Sequence, residues 1–281
     1  MTYHDFWHRL AQVYDEGEAK AIARLVYEVR YGLTLTDLCM GKDTLLAADD
    51  QALLEQALQR LERQEPVQYV LGVTEFCRRT FRVNRHVLIP RPETEELCRW
   101  VIEKEGRPAE GGEHKAILDM GTGSGCIAVT LAAELAPADV TAWDISDEAL
   151  TVAAANARRN HVTIRFDRQD MLTATAGQAR WDVIVSNPPY ICNKEREAMA
   201  QNVLAHEPHT ALFVPDDDPL LFYRAIATYG QKALKPGGGL YLELNPLYAA
   251  DLRHLLSMLS WHDITLRHDQ YGKPRMMSAR R

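Results

Sequence analysis

The chain has 281 residues, 46% of them hydrophobic and 25% charged, the composition of an ordinary globular protein of about two domains. Its net charge of −7 argues against stable binding of long nucleic acid. No apolar run approaches the roughly 18 residues that span a bilayer, and the first residues do not resemble a signal peptide, so no membrane association is expected.

Residues 1–73 predict a small bundle of helices. Apolar residues recur there at three- and four-residue steps, the period of amphipathic helices. Gly32 is predicted to end one helix, and Thr36-Asp37 and Asp49-Asp50 are predicted to cap the starts of two others. Gly72 is predicted to end the block. Nothing in this segment indicates catalysis, so the apolar faces of its helices indicate packing against one another or the binding of a partner.

Residues 74–95 predict a β-hairpin and a linker. Bulky residues between Phe76 and Ile89 follow an approximate period of two, which is typical of strands, and Asn84-Arg85 is the predicted turn. Pro90-Arg91-Pro92 then enforces an extended corner, because proline restricts both itself and the residue before it. A helix is predicted to begin directly after this corner.

Residues 96–281 alternate between predicted strands and helices, with a surface loop predicted at 106–112. Such alternation indicates a mostly parallel sheet with helices on both faces. A turn is predicted at 235–239, and segments 264–267 and 275–277 predict a terminal antiparallel hairpin. We therefore expect an α/β, Rossmann-like fold with a C-terminal antiparallel hairpin, preceded by a small N-terminal helical bundle. The predicted parallel strands span residues 116–120, 140–144, 164–170, 182–186 and 240–244.

A glycine-rich loop follows the first of these strands. Gly121, Thr122, Gly123, Ser124 and Gly125 separate that strand from a predicted helix. Glycines at such a place let the backbone turn sharply and approach a ligand closely, since a Cβ atom would collide with it. The loop alone is weak evidence, and its meaning depends on what ends the neighbouring strands.

Acidic residues end the next two strands. Asp144 lies nineteen positions after Gly125, the place from which a carboxylate accepts the hydroxyl protons of a ribose. Asp170 either reaches the exocyclic amine of an adenine, with Met171 packed on the ring, or caps the following turn. Cys126 stands where a dinucleotide-binding loop needs its third small residue, which disfavours NAD. Together these features predict S-adenosylmethionine as the cofactor.

The turn Asn187-Pro188-Pro189-Tyr190 follows the predicted strand 182–186. The two prolines have no N–H, so they form a rigid turn at the carboxyl end of a buried strand, where open α/β sheets bind ligands. The Asn187 oxygen and the Pro188 carbonyl can each accept one N–H of a target NH2 group, and Tyr190 can stack on a planar target. We therefore predict Asn187, Pro188 and Tyr190 as catalytic residues and the whole turn as the substrate site.

With these motifs the chain resembles the release factor glutamine methyltransferase family of the PrmC/HemK type, over most of its length. The Asn-Pro-Pro-Tyr turn is shared with adenine-N6 DNA methyltransferases, whereas the Pro-Arg-Pro-Glu-Thr-Glu segment distinguishes this family from ribosomal-protein glutamine methyltransferases. The segments that carry the resemblance are Gly72–Phe76, Val87–Glu95, Leu118–Ala128, Trp143–Ser146, Ile184–Ile191 and His206–Leu212.

The resemblance implies a reaction and a set of site residues. It implies methylation of the side-chain amide of the glutamine in the Gly-Gly-Gln motif of peptide chain release factors, with residues 187–190 receiving that glutamine. It also implies that the N-terminal bundle helps to grip the release factor. The residues implied to contact S-adenosylmethionine are Gly121, Thr122, Gly123, Ser124, Gly125, Asp144, Met171 and Asn187.

Two departures from the family pattern and the cysteine usage complete the prediction. Family members often carry an aromatic residue where Met171 stands, and a Glu-Ile-Gly type of ending where this chain has Glu243-Leu244-Asn245. The five cysteines are scattered and the histidines lack spaced metal partners, so neither a disulfide framework nor a metal site is expected. Cysteines of this kind fit the reducing cytoplasm.

Four other functions compete with glutamine methylation of a release factor. An adenine-N6 nucleic-acid methyltransferase would use the same turn, but the net negative charge disfavours it. A ribosomal-protein glutamine methyltransferase would act on the same chemical group. The glycine spacing disfavours a nicotinamide-dependent oxidoreductase, and an intact Asn187 and Asp144 disfavour a binding module that has lost catalysis.

Overall fold

A computed structural model describes residues 1–106 and 114–281. The surface loop predicted at 106–112 lies outside the described residues, apart from Gly106. The helices are α1 (Tyr3–Leu10), α2 (Glu16–Tyr31), α3 (Leu35–Cys39), α4 (Ala48–Glu62), α5 (Val67–Leu71), α6 (Pro92–Glu105), α7 (Cys126–Glu134), α8 (Asp147–Arg159), α9 (Gln201–His206), α10 (Leu221–Ala233) and α11 (Ala249–Met258). The strands are β1 (Val73–Phe76), β2 (Arg79–Arg82), β3 (Lys115–Met120), β4 (Ala138–Asp144), β5 (Arg165–Arg168), β6 (Trp181–Ser186), β7 (Ile191–Cys192), β8 (Phe213–Val214), β9 (Leu234–Glu243), β10 (His262–His268) and β11 (Pro274–Arg280).

The chain divides into two compact units. The first consists of residues 1–74 and 199–206, and the second of residues 75–198 and 207–281. None of the helices in the two described ranges has the length and apolarity needed to cross a bilayer.

The first unit is helical and has its own apolar core. Its helices α1, α2 and α4 bury one face each, as their three- and four-residue periodicity predicts. The fully buried side chains at the centre of this core are Phe6, Leu10, Ala19, Ala23, Val26, Tyr27, Leu54, Leu58 and Leu61.

The helices of the first unit confirm one predicted C-terminal end and correct the two predicted N-terminal caps. Gly32 ends α2 in the left-handed conformation, with a φ of 65°. The cap of α3 is Thr34 and not Thr36-Asp37, because the Thr34 and Asp37 side chains bond each other's backbone N–H groups. Asp49 and Asp50 lie inside the first turn of α4, where their charges favour the positive end of the helix dipole.

The hairpin predicted in residues 74–90 is present, but its turn is not at Asn84-Arg85. β1 and β2 pair as a two-stranded sheet, and Cys77 and Arg78 connect them with φ values of 47° and 60°. Two consecutive positive φ values match the twist that a two-residue hairpin requires. Val87 and Ile89, counted as strand residues from the sequence, are buried outside any strand. A turn is present at Asn84-Arg85, with the Val87 N–H donating to the Asn84 carbonyl at 3.1 Å, but it does not close the hairpin.

The second unit is built on a seven-stranded sheet with the order β10-β11-β9-β6-β3-β4-β5. The five strands from β9 to β5 in this order run parallel, and β11 and β10 add an antiparallel edge. One apolar layer packs α6 and α7 on one side of the sheet, and a second layer packs α10 and α11 on the other. The predicted Rossmann-like α/β fold with a C-terminal antiparallel hairpin is confirmed.

The glycine stretch 235–239, predicted as a turn, lies within β9 but bulges out of its pairing with β6, where Trp181 pairs with Leu234 and Val183 with Gly239. Gly239 pairs with Arg280 of β11, and the Gly237 and Arg281 backbones extend this pairing. A Cβ atom on Gly238 would lie 2.9 Å from the carbonyl oxygen of Lys235. Glycine is therefore needed here so that the strand can bend while it stays in the sheet.

Candidate active site

The chain order of the strands creates a crevice between β3 and β6. From β3 the chain proceeds outward to β4 and β5, then returns to the other side of β3 to form β6. Ligands bind at such a switch point, beyond the carboxyl ends of the strands. The second unit has a cavity there of about 370 Å³, within the range of small-molecule sites.

Most of the predicted site residues line this one cavity. They are Gly121, Thr122, Gly123, Ser124, Asp144, Asp170, Met171, Asn187 and Pro189. Gly125, Pro188 and Tyr190 are not among the lining residues. Gly125 stands at the start of α7, where a Cβ atom would come within 3.0 Å of Ala153 on α8, so its place is explained by helix packing.

Backbone hydrogen bonds hold the glycine loop against the end of β4. The N–H groups of Gly121 and Thr122 donate to the carbonyl of Trp143, at 2.9 and 2.8 Å. Gly121 has a φ of 78°, and a Cβ atom there would lie 2.9 Å from the Cε of Met171. Glycine is therefore favoured by the left-handed conformation, and the absence of a Cβ atom leaves room for the methionine side chain.

Asp144 is fixed by the loop and keeps acceptor capacity for a ligand. Its Oδ2 accepts the Gly123 N–H at 2.9 Å and its Oδ1 accepts the Ser146 N–H at 3.0 Å. A carboxylate offers about four lone-pair positions, so two remain. This half-buried carboxylate beside a glycine loop fits the two hydroxyl groups of a ribose.

Asp170 and Met171 lie just beyond β5, which ends at Arg168 and not at Asp170 as predicted. The Asp170 Oδ1 accepts the Leu172 N–H at 2.8 Å, so the side chain caps the following turn, one of the two roles left open by the sequence. Both residues also line the cavity. Ile145 and Leu172, which are exposed and line it as well, supply apolar surface that sequence reasoning missed.

Tyr190 faces a buried carboxylate. Its hydroxyl donates to the Oε1 of Glu243 at 2.9 Å, and the Thr94 hydroxyl donates to the Oε2 at 2.6 Å. Burial raises the pKa of Glu243, and these two hydrogen bonds oppose that rise. Burial and the nearby Glu243 charge raise the pKa of Tyr190 well above its usual value. Tyr190 is therefore neutral at physiological pH and holds the turn in place.

Asn245, one of the departures from the family pattern, also supports the proline turn. Its Nδ2 donates to the Tyr190 carbonyl at 3.1 Å and to the Glu195 carboxylate at 3.0 Å. Its Oδ1 accepts the Leu247 N–H at 3.1 Å. Asn245 is buried, so these bonds satisfy a polar group that would be costly to bury alone.

Two cavity-lining segments are joined by Glu207, which is buried. Its carboxylate accepts the Ile89 N–H at 3.2 Å and a guanidinium N–H of Arg91 at 2.5 Å. This pair connects the extended segment before α6 to the segment after α9. The bonds hold Arg91 and Pro208 on the rim of the same cavity.

Asp119, near the end of β3, is a site residue that sequence reasoning missed. Its Oδ2 accepts the Thr122 hydroxyl at 2.6 Å and the Ala128 N–H at 3.2 Å, so it connects the glycine loop to the first turn of α7. Within the described ranges its Oδ1 has no hydrogen-bond partner. Burial raises the pKa of this carboxyl to about 7. The sequence feature that could have identified Asp119 is an acidic residue in an apolar strand just before the glycine loop.

No group of three or more His, Cys, Asp or Glu residues in the described part of the chain could hold a metal ion.

The cavity is lined by a glycine loop, carboxylates, apolar side chains and the amide of Asn187. A Rossmann-like sheet with this loop after β3, an acid after β4 and an Asn-Pro-Pro-Tyr turn after β6 defines a methyltransferase that uses S-adenosylmethionine.

Comparisons with known proteins agree with this class and narrow it. The family models "PrmC N-terminal domain" and "Methyltransferase small domain" match residues 4–72 and 107–213. The release factor glutamine methyltransferase of Bacteroides thetaiotaomicron is 44% identical over 97% of this chain and 96% of its own length. That of Flavobacterium psychrophilum is 42% identical over 98% and 96%.

Solved structures share the fold at low sequence identity. The human methyltransferase 10 domain containing protein has a TM-score of 0.52 at 19% identity, covering 82% of this chain and 96% of that chain. The hMettl16 catalytic domain, solved with an RNA hairpin, has a TM-score of 0.55 at 17% identity, covering 71% and 74%.

The chain belongs to the release factor glutamine methyltransferase family, as predicted. The predicted enzyme class and its cofactor, S-adenosylmethionine, are confirmed with it.

Substituting Asp119 by Asn should flatten the pH dependence of stability. An unfolded Asp has a pKa near 3.9, so between pH 4 and 7 the folded state, with its pKa of about 7, holds more of this proton. The free energy of unfolding therefore falls as pH rises through that window. Between pH 5.5 and 8 the free energy of unfolding should fall by about 2 kcal/mol less in Asp119→Asn than in wild type.

The measurement is urea unfolding of both proteins at the two pH values. Asp251→Asn, at an exposed acid on α11, is the matched control and should leave the fall unchanged. An equal fall in wild type and Asp119→Asn would show that this carboxyl does not titrate in the window.

Proposed function

We propose that this protein methylates the side-chain amide nitrogen of the glutamine in the Gly-Gly-Gln motif of peptide chain release factors. The observation that carries the proposal is the juxtaposition of Asp144, the glycine loop and Asn187 in one cavity. Family membership supplies the substrate. We place the enzyme in the cytoplasm with this translation factor, and we expect no stable binding of nucleic acid.

Asp144, Asp170, Met171 and the loop 121–125 would hold the cofactor. Asp144 accepts the ribose hydroxyls, Asp170 has a second carboxylate oxygen for the adenine amine, and Met171 gives the ring an apolar contact. When bound, S-adenosylmethionine supplies a methyl group on a positively charged sulfur, ready for in-line displacement. The remaining chemistry is to orient the glutamine nitrogen.

An amide nitrogen is a poor nucleophile because its lone pair is delocalised into the carbonyl. The Asn187 oxygen, in the cavity, accepts one N–H of the target, which turns the nitrogen lone pair toward the methyl group. The Pro188 carbonyl, predicted from the sequence to accept the other N–H, belongs to a residue that does not line the cavity. Orientation of reacting groups can contribute up to about 7–11 kcal/mol in favourable cases. After transfer the nitrogen carries an extra proton and is strongly acidic, so no strong base is needed, and solvent takes the proton as the product leaves the cavity. The cavity walls that exclude water from the target include Val87, Leu88, Pro189, Ile127, Phe213 and Phe222.

The domain roles are part of the proposal. We assign residues 1–73 to a helical domain that grips the release factor, residues 74–95 to a hairpin and linker, and residues 96–281 to the methyltransferase domain. The match of residues 4–72 to a family-specific N-terminal model supports the first assignment. A catalytic turn that accepts only one planar group needs additional surface to select a protein substrate.

The decisive assay uses S-adenosylmethionine labelled in the methyl group. The enzyme is incubated with a purified release factor, with the same factor carrying Ala in place of the Gly-Gly-Gln glutamine, with ribosomal protein and with adenine-containing oligonucleotides. Label should enter the intact factor alone. Label in the alanine variant would refute the target residue, and label only in ribosomal protein or oligonucleotides would refute the substrate.

Removing the Asn187 amide should abolish turnover more than binding. We expect Asn187→Ala to lower kcat by about 100- to 1000-fold, the usual loss for one preorganised hydrogen-bonding group. The dissociation constant of the cofactor should change by less than about threefold. Asn193→Ala, which removes an exposed amide nearby, is the control and should keep kcat. Unchanged kcat in Asn187→Ala would remove this side chain from the mechanism.

Removing the Asp144 carboxylate should weaken cofactor binding. Hydrogen bonds to a charged group contribute about 1.5–3 kcal/mol each, so Asp144→Ala should raise the dissociation constant at least tenfold in calorimetry. Asp147→Ala removes an exposed acid on α8, and it should leave this constant within about twofold. Equal affinities for wild type and Asp144→Ala would contradict the assigned ribose contact.

A further inference from the structure

A chain of hydrogen bonds runs from the proline turn into the protein. The Asn187 Nδ2 lies 3.2 Å from the Thr94 Oγ1, and that oxygen lies 2.6 Å from the Glu243 Oε2. The Tyr190 hydroxyl occupies the other carboxylate oxygen at 2.9 Å. Thr94 and Glu243 are buried, with 2% and 1% of their surface exposed. Both are held rigidly, Thr94 in the first turn of α6 and Glu243 at the end of β9.

The number of protons available decides the direction of each bond. A carboxylate only accepts, and a threonine hydroxyl has one proton and two lone pairs. The hydroxyl proton of Thr94 is therefore used on Glu243, and Thr94 has only lone pairs left for Asn187. Its partner must be an N–H, so the amide nitrogen of Asn187 faces Thr94.

The two hydroxyl donors on the oxygens of Glu243 favour its ionised form, which accepts both protons. Burial and the negative charge of Glu93 raise the pKa of this carboxyl, and the two hydrogen bonds and Arg275 of β11 oppose that rise. A protonated Glu243 could instead donate to Thr94, which would then donate to the Asn187 oxygen and turn the amide around. The two directions predict opposite positions for the NH2 group of Asn187, so they can be separated by experiment.

We propose that Thr94 and Glu243 are positioning residues that fix the Asn187 amide with its oxygen free for the substrate. This inference deepens the proposed function and rests on it. In the described part of the chain the Asn187 side chain has a single hydrogen bond, through its nitrogen to Thr94, and Asn187 lines the cavity. Its oxygen therefore remains available to accept an N–H.

The orientation matters because the oxygen of an amide accepts hydrogen bonds, whereas its NH2 group donates them. An oxygen in the cavity accepts an N–H of a primary amide, whereas an NH2 group would face the NH2 group of the target, donor against donor. The free amide has no strong preference between these two orientations. A fixed orientation therefore favours targets that carry N–H donors, such as the side chain of glutamine, over a carboxylate such as glutamate.

The test compares Thr94→Val with Thr94→Ser. Valine has nearly the same shape but no lone pair, so Asn187 loses its hydrogen bond to residue 94. We expect kcat for the release factor to fall about 10- to 100-fold, with its KM and the cofactor dissociation constant changed less than about threefold. Serine keeps the hydroxyl and should retain at least about a third of kcat. Thr151→Val, at an exposed threonine on α8, is the matched control for the substitution itself.

Two kinetic outcomes would overturn the inference. One is a Thr94→Val enzyme with the kcat of wild type. The other is a loss of kcat that comes with an equal loss of cofactor affinity and a lower Tm, which would show a purely structural role. Methyl transfer by wild type is measured in the same series. Its absence would refute the proposed function and not this inference.

A second measurement keeps the inference testable without turnover. The side-chain NH2 signals of Asn187 are assigned in NMR spectra of 15N-labelled protein as the pair lost in Asn187→Asp. One proton should be protected from exchange with solvent in wild type and in Thr94→Ser, and lose this protection in Thr94→Val. Equal protection in wild type and Thr94→Val would refute the hydrogen bond to Thr94 and with it the proposed anchor.

Discussion

The site depends on one constraint, the parallel register of β3, β6 and β9. β6 lies between the other two in the sheet, with Leu118 beside Ile184 and Ser186 beside Leu242. Parallel strands in register end at the same edge, so the segments that follow them are neighbours in space. The glycine loop, Asn187 and Glu243 therefore meet although long stretches of chain separate them. No single loop could hold this set, because each residue needs a rigid strand directly before it.

The sequence was sufficient for the parts of the site that follow from local pattern. A glycine loop after an apolar strand, an acid at the end of the next strand and two consecutive prolines each have a local physical cause. Each of these features lies in the cavity or at its edge. The sheet was predictable for the same reason, since alternating strands and helices have few ways to pack.

What could not be predicted is long-range or depends on burial. Thr94 and Glu243 are 149 positions apart in the chain, and neither stands in a pattern that indicates the other. The alternation from Phe76 to Ile89 predicted a long hairpin because alternating burial gives the same sequence period whether or not the backbone pairs. Only the paired part, with its turn at Cys77-Arg78, forms strands. A run of glycines likewise predicts a turn unless the strand that pairs with it is known.

Two buried carboxylates, Asp119 and Glu243, support the two halves of the site in different ways. Both oxygens of Glu243 accept hydroxyl protons, whereas Asp119 uses Oδ2 for two donors, and its Oδ1 has no partner in the described ranges. Burial disfavours the charged form of both carboxyl groups, and the hydrogen bonds that each one accepts oppose this effect to different extents. Glu243 can therefore act as a fixed acceptor that sets the direction of a hydrogen-bond chain. Asp119 is in a position to change its charge near neutral pH, because its pKa lies at about 7. The carboxyl group beside the proline turn thus has both oxygens paired, whereas the one beside the glycine loop has an oxygen without a partner in the described ranges.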